Sequence, residues 1–213
     1  MAKQKERQRE ERLFYREDNM SPEQFQKRWQ EVRRLMDLRP TDRVLDVGCA
    51  EGWMTLEMAR EVEHAHGFDT VELRIAEAQR LAEEQGVGNA TFEVASVIGY
   101  PIEPLSYDVT LFSSVWGRQS ASQDVGVTEL EALLRGTRRE LVARINVMDF
   151  PGRLEEIFDV CERNDFDALS FPGKLIVAIR RGVDARVPQL PRYAILPTSR
   201  LDNQVARAAE QLG

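Results

Sequence analysis

Asp46-Val47-Gly48-Cys49-Ala50-Glu51-Gly52 is the stretch of this chain whose residue types and spacing could do chemistry. Val44, Leu45 and Val47 form the short apolar run of a central parallel strand, in which alternation is lost because helices cover both faces. Gly48 and Gly52 then supply a turn where backbone can approach a ligand without a Cβ in the way. Asp46 falls at the strand's carboxyl end, where open α/β sheets place their ligands. A second acid, Asp69, ends the run His64-Ala65-His66-Gly67-Phe68. Its separation from Gly48 is close to the ~20 residues at which nucleoside-binding α/β folds hold a ribose, and a carboxylate there can accept from both ribose hydroxyls.

The spacing disfavours a nicotinamide or flavin dinucleotide. That fingerprint needs Gly-x-Gly-x-x-Gly/Ala, whereas Gly48-x-Ala50-x-Gly52 is followed by Trp53. Glu51 also sets a negative charge where a pyrophosphate would meet the helix N-terminus. The stretch instead resembles motif I of the class I S-adenosylmethionine (SAM) dependent methyltransferases, acidic-x-Gly-x-Gly-x-Gly. Asp46, Gly48 and Gly52 match it, and Ala50 stands for the middle glycine. SAM has no phosphate and carries a cationic sulfonium, so Asp46 and Glu51 do not repel it.

The resemblance implies a set of cofactor contacts. Asp46, Gly48, Ala50 and Gly52 would line the cofactor, and Asp69 would take the ribose. Thr70 follows as a neighbour of the cofactor and a cap for the next helix. The family's Gly-Asp-Ala at the end of the third strand, which meets adenine, is replaced by Ala95-Ser96-Val97, leaving Ser96 as a hydrogen-bonding group with Val97 beside it. Tyr107 to Trp116 matches the fourth strand, whose end, with Ser113, flanks the transferable methyl.

The Asn/Asp-Pro-Pro-Tyr signature of amide and exocyclic-nitrogen methyltransferases is absent. Ser113-Ser114-Val115-Trp116-Gly117-Arg118 stands in its place, closer to the loops of small-molecule and sugar methyltransferases. The expected acceptor is therefore an oxygen, or a nitrogen, of a small molecule or glycan, and nucleic acid is disfavoured. Methyl transfer is an in-line attack for which positioning supplies much of the acceleration, although a hydroxyl also needs a base. Asp149 is the candidate base, Arg118 the candidate for orienting an anionic acceptor, and Trp116 a wall of the pocket. His64 and His66 share one strand face, but no third ligand completes a metal site, so they read as structural. Two other functions stay open: an RNA methyltransferase using basic termini as arms, and a non-catalytic SAM-fold binding or scaffold protein.

Several elements must position these residues. Ser21-Pro22-Glu23-Gln24 starts a helix with Phe25, Trp29, Val32, Leu35 and Met36 on one face. In the resembling family such a segment closes over the cofactor, which makes Tyr15, Arg16 and Arg28 candidate contacts. Later elements are a helix over Val127–Leu134, a strand over Glu140–Val147, a helix over Arg153–Arg163, and a hairpin from Phe166–Phe171 to Lys174–Ile179 about Pro172-Gly173. The expected fold is α/β: a doubly wound Rossmann-like sheet, mostly parallel, with a closing antiparallel hairpin and an N-terminal helical extension. Residues 1–40 form that extension or lid, 41–181 the SAM-binding domain and 182–213 a C-terminal extension.

Composition bounds the remaining classes. The 213 residues suffice for one α/β domain with extensions, and the net charge of -7 with basic termini makes the middle acidic, against a broad phosphate-tracking face. Cys49 and Cys161 offer no disulfide framework, and a reducing cytoplasmic compartment is expected. Neither a secretory leader nor a membrane-spanning run is visible, so no membrane partner is expected. The terminal extensions leave an oligomer open.

Overall fold

The computed structural model describes residues 22–113, 117–118, 124–144, 153–171 and 175–186. Five helices and nine strands run in the order α1 (Pro22–Arg33), β1 (Arg43–Val47), α2 (Trp53–Ala59), β2 (His64–Asp69), α3 (Glu72–Gln85), β3 (Ala90–Val94), β4 (Tyr107–Ser113), β5 (Gly117–Arg118), β6 (Asp124–Val125), α4 (Val127–Gly136), β7 (Thr137–Arg144), α5 (Arg153–Arg163), β8 (Phe166–Phe171) and β9 (Leu175–Arg180) among the described residues. Seven strands make one sheet in the order β3-β2-β1-β4-β7-β9-β8, and β5 pairs with β6 in a separate ribbon. The first five strands pair in parallel, while β9 runs antiparallel to both β7 and β8. This is the expected doubly wound sheet with its antiparallel hairpin. The order reverses between β1 and β4, and that switch point opens the crevice in which such sheets bind ligands.

β1 lies at the middle of the sheet and is covered on both faces, which accounts for its unbroken apolar run. On one face Val44 meets Trp29, Val32, Leu35 and Met36 from α1 and the turn after it. On the other, Leu45 and Val47 join Phe68, Phe112, Leu130, Leu133 and Ile157. The apolar stripe read on α1 is therefore its buried face. The helix itself stops at Arg33, and Leu35 and Met36 are buried from the following turn.

The seam between α4 and β7 departs from the sequence reading. The helix extends to Gly136 and the strand begins at Thr137, three residues before the expected Glu140, with no loop between them. Arg139 and Glu140 are buried at this junction. Arg139 donates to Asp42 through both terminal nitrogens and to the Asp37 carbonyl at 2.7 Å. Asp42 Oδ2 also accepts the Arg39 N–H at 2.8 Å, and Glu140 accepts the Asp37 N–H at 2.9 Å. Arg180 closes the seam by donating to the Leu134 and Thr137 carbonyls at 2.9 and 2.7 Å, with its guanidinium 4.5 Å over the Phe166 ring. Burial pushes the Glu140 carboxyl up to about 8.

This network staples the connector before β1 to the start of β7, at the amino ends of the strands. Removing one partner of a buried pair strands the other charge. Arg139→Ala should lower unfolding free energy by about 3–5 kcal/mol, whereas Arg39→Ala, which breaks a partly exposed pair with Asp37, should cost under about 1 kcal/mol. Urea denaturation of both variants measures the contrast, and equal losses would contradict it.

Candidate cofactor site

The glycine turn is held from below by β2. The N–H groups of Gly48 and Cys49 both donate to the Phe68 carbonyl, at 2.9 and 3.0 Å. Asp69 then accepts the Ala50 N–H at 3.1 Å through Oδ2 and the Val71 N–H at 3.0 Å through Oδ1. One carboxylate thus fixes the glycine turn, the end of β2 and the start of α3. Each oxygen keeps a second lone pair for a further donor such as a ribose hydroxyl. Asp46 and Asp69 lie at the same end of adjacent strands, since Val47 pairs with Phe68.

The turn is left-handed at Gly48 (φ 72°), Ala50 (φ 50°) and Gly52 (φ 76°). Ala50 therefore holds a conformation that glycine adopts without penalty, at a cost of about 1–2 kcal/mol. Gly52 has a different role from the one the sequence suggested. A Cβ there would lie 2.6 Å from a Phe92 ring carbon and 2.8 Å from the Ala78 Cβ, so this glycine lets the turn pack on β3 and α3 rather than clearing room for a ligand. Gly67, which the sequence reading passed over, acts similarly: its Cβ would meet Thr55 Oγ1 at 2.8 Å and the Cys49 Cβ at 2.9 Å.

Acids dominate the electrostatics. Asp46 is buried, accepts the Thr55 hydroxyl at 2.6 Å, and is pushed up to about 7, mainly by burial and further by the Asp69 charge, with Thr55 and Arg28 acting against the shift. Arg28 reaches from α1 to donate to Ser113 Oγ at 3.4 Å, joining the first helix to the end of β4 across the switch point. Arg74 of α3 lies 3.3 Å from Glu51. That ion pair neutralises the charge invoked against a pyrophosphate, so the case against a dinucleotide rests on glycine spacing and Trp53 rather than on Glu51.

The other expected residues divide. The Ala95 N–H donates to the Asp69 carbonyl at 2.9 Å, which brings Ser96 and Val97 alongside Asp69. The Ser96 hydroxyl turns back to accept the Ile98 N–H at 3.2 Å, and Val97 is buried against Phe68 and Phe112. Thr70 is exposed and does not cap α3, whose N-cap is Val71 without a side-chain bond; Asp69 meets the Val71 N–H instead. Arg118 belongs to the β5–β6 ribbon, which Val125 anchors in the core, but nothing is described of its side chain. Asp149, Trp116, Tyr15 and Arg16 lie outside the described residues. His64 and His66 both contact Thr91 Oγ1, at 3.0 and 2.9 Å, and no metal-binding group of His, Cys, Asp or Glu exists among the described residues.

A seven-stranded sheet of this order, with an acid-rich glycine turn at its switch point, defines a class I SAM-dependent methyltransferase fold. A methyltransferase-domain family model matches residues 38–179, and the chain belongs to that family. The fold resembles magnesium protoporphyrin IX methyltransferase from Synechocystis PCC 6803, solved with bound SAM, with a TM-score of 0.58, 20% identity, and coverage of 80% of this chain and 89% of that one. It also resembles a SAM-dependent methyltransferase from Listeria monocytogenes, with a TM-score of 0.57 and 15% identity over 72% of this chain and 97% of that one. Among curated proteins, the 23S rRNA (uracil(1939)-C(5))-methyltransferase of Methylococcus capsulatus is 37% identical over 67 residues, which is 32% of this chain but only 15% of that protein. The Klebsiella pneumoniae enzyme of the same name is 39% identical over 57 residues, 27% of this chain and 13% of its own. No helix among the described residues is long and apolar enough to cross a membrane.

The residues fit SAM. Two buried acids, Asp46 and Asp69, meet at a turn whose Gly48, Cys49 and Ala50 N–H groups already have acceptors, which suits a cationic ligand better than an anionic one.

Two expected outcomes test this geometry. Ala50→Gly removes the left-handed strain but frees the unfolded chain, so stability should change by less than about 1 kcal/mol, on the gaining side, whereas Ala50→Val should lose about 2 kcal/mol or more. Chemical denaturation separates them, and equal losses would remove the strain argument. The second concerns Asp46. Its folded value near 7 exceeds the ordinary carboxylate value, so its neutral form stabilises the apo protein at acid pH and that contribution is lost as pH rises toward 7. The stability advantage of Asp46→Asn over the parent should therefore grow by on the order of 3 kcal/mol between pH 4 and 7 and level off above. Apo melting curves across that range measure it, and a pH-independent difference would refute the buried-acid reading.

Proposed function

We propose that this chain transfers the methyl group of SAM to an oxygen or nitrogen of a small molecule or glycan. The observation that carries the reading is the arrangement of Asp46, Ala50 and Asp69 at the switch point of the sheet. In this assignment Asp69 takes the ribose hydroxyls, Ser96 and Val97 flank adenine, and Gly48 and Ala50 border the amino-acid part of the cofactor. Asp46 supplies negative charge toward the cationic end. Arg28, between Ser113 and the Asp46 charge, is suited to the cofactor carboxylate and makes α1 a cover for that end. When bound, SAM supplies an electrophilic methyl carbon; the chain orients it, excludes water and brings the acceptor into line. Arg118 and Asp149 are retained as groups for orienting an anionic acceptor and removing its proton.

Small-molecule chemistry is supported by the loop residues after β4 and by the acidic middle of the chain. An RNA acceptor is the second reading, favoured by the identity to rRNA methyltransferases. That identity spans 67 residues, fewer than the sheet itself occupies from Arg43 to Arg180, and so supports shared ancestry of a fold portion more than a shared acceptor. Two free, buried cysteines suit a reducing cytoplasmic compartment.

Calorimetry should detect SAM and S-adenosylhomocysteine but not NAD. Asp69→Ala should weaken SAM by on the order of 1.5–3 kcal/mol, since a charge-assisted bond is lost and the glycine turn is freed. Radiolabelled methyl transfer into a small-molecule extract and into total RNA, each across a salt series, decides the acceptor. Salt-insensitive labelling of the extract is expected; steeply salt-sensitive labelling of RNA alone would transfer the assignment to the second reading.

A further inference from the structure

Among the described residues, β2 and β3 carry closely packed helices on one face only. α2 and α3 pack on the face that carries Gly67 and Phe92. The opposite face presents His64, His66 and Phe68 of β2 beside Thr91 and Glu93 of β3, with His66 level with Thr91 and Phe68 level with Glu93. The connection from β3 to β4 contains no helix and instead sends Tyr100 across this face. Its ring stacks on Phe68 with centroids 4.2 Å apart and planes 24° apart. Its hydroxyl lies 2.8 Å from Glu93 Oε2 and 3.1 Å from His66 Nε2. His66 Nδ1 lies 2.9 Å from Thr91 Oγ1, and His64 Nε2 lies 3.0 Å from the same oxygen.

The direction of every proton in this row follows from one charge. A carboxylate only accepts, so the Tyr100 hydroxyl donates to Glu93 and its oxygen accepts from His66 Nε2–H. A neutral His66 with its proton on Nε2 offers Nδ1 as an acceptor, which takes the Thr91 hydroxyl proton. The Thr91 oxygen then accepts from His64 Nε2–H. Thr91, His66 and Tyr100 each donate once and accept once, and the row runs from the donor His64 to the acceptor Glu93. His66 is faced by Glu93, His64 and Tyr100, and His64 by Arg43 and Glu63. Burial holds both rings below the ordinary histidine value, which keeps the neutral forms the row requires.

Tyr100 is joined to both sides of the cofactor crevice. Its N–H donates to the Val97 carbonyl at 3.3 Å, within the same connection that carries Ser96. The Phe68 on which it stacks gives its carbonyl to Gly48 and Cys49, and Asp69 follows Phe68 directly.

We propose that Tyr100, held by His66 and Glu93, is a positioning residue for the adenine end of the cofactor: the row His64–Thr91–His66–Tyr100–Glu93 fixes residues 96–98 against Asp69 and lets them go when His66 is protonated. This rests on the cofactor assignment made above. A proton on Nδ1 turns the acceptor of the Thr91 hydroxyl into a competing donor, and the row loses its direction. Because His66 is held below its ordinary value of about 6.5, the ordering is complete above that pH and fades below it.

Calorimetric titration of the full chain with SAM, from pH 4.5 to 8, tests the proposal on the parent, Tyr100→Phe and Thr91→Val. Tyr100→Phe keeps the ring stack, and Thr91→Val keeps the shape of an exposed strand residue, so at least one variant reports on a folded protein. The readout is the ratio of variant to parent Kd, in which any titration of Asp46 is common to both and cancels. At pH 8 each ratio should be about fivefold, the worth of one net hydrogen bond. Toward the acid end of the series, as His66 takes its proton and the parent loses the same order, the ratio should fall toward one. A ratio of one at pH 8, or a ratio unchanged across the series, overturns the proposal and leaves SAM binding by the parent intact. A parent that binds no SAM at any pH overturns the cofactor assignment and the proposal with it.

Discussion

The Asp69 carboxylate is the constraint on which the cofactor end of this protein depends. By accepting the N–H groups of Ala50 and Val71 it joins the glycine turn, 19 residues earlier in the chain, to the end of β2 and the start of α3. Backbone donors at such a junction must find partners if they are buried, and here a single side chain serves two of them. The same junction is reinforced by the Phe68 carbonyl, which takes two further N–H groups from the turn. Order at the crevice thus comes from the end of β2, and the glycine turn conforms to it. The left-handed Ala50 is the sign of that direction of control, since its surroundings over-determine a conformation it would not choose alone.

Charge is managed by matching each acid differently. Glu51 receives Arg74 from α3, Asp69 receives backbone N–H groups, and Asp46 receives the Thr55 hydroxyl and the more distant charge of Arg28. Asp46 is the least compensated, which is why burial raises it so far. A cationic ligand would complete that compensation where a phosphate would worsen it. This is a physical reason, independent of any motif, for the site to prefer a sulfonium nucleoside.

The fold was legible because its signals are local: the apolar runs of β1, β4 and β9, the apolar stripe of α1 and the antiparallel hairpin all follow from periodicity and turn chemistry. Asp46, Gly48 and Asp69 were legible for the same reason, as types at a characteristic spacing. What escaped were contacts between residues distant in sequence. Gly67 looks like an ordinary strand glycine until Thr55 and Cys49 are packed against it. The burial of Arg74, Arg139 and Glu140 is likewise invisible in the sequence, because a buried charge is recognisable only once its partner is known. Thr70 reads as the cap of α3, but the N-cap is Val71 and no side chain caps the helix there.

These hidden contacts are not spread evenly. The amino ends of the strands carry the Asp37, Asp42, Arg139 and Glu140 network, which locks the connector before β1 to the start of β7. The carboxyl ends carry the left-handed turn, the raised acid and a sheet face bridged by Tyr100. A sheet transmits constraint along its strands, because a side chain on β1 or β2 cannot shift without moving a ladder of backbone bonds. Fixing one end rigidly therefore allows the other end to hold strained and uncompensated groups without unfolding around them. That division follows from the parallel arrangement itself, since it gathers all the amino ends of β1, β2, β4 and β7 on one side and all their carboxyl ends on the other.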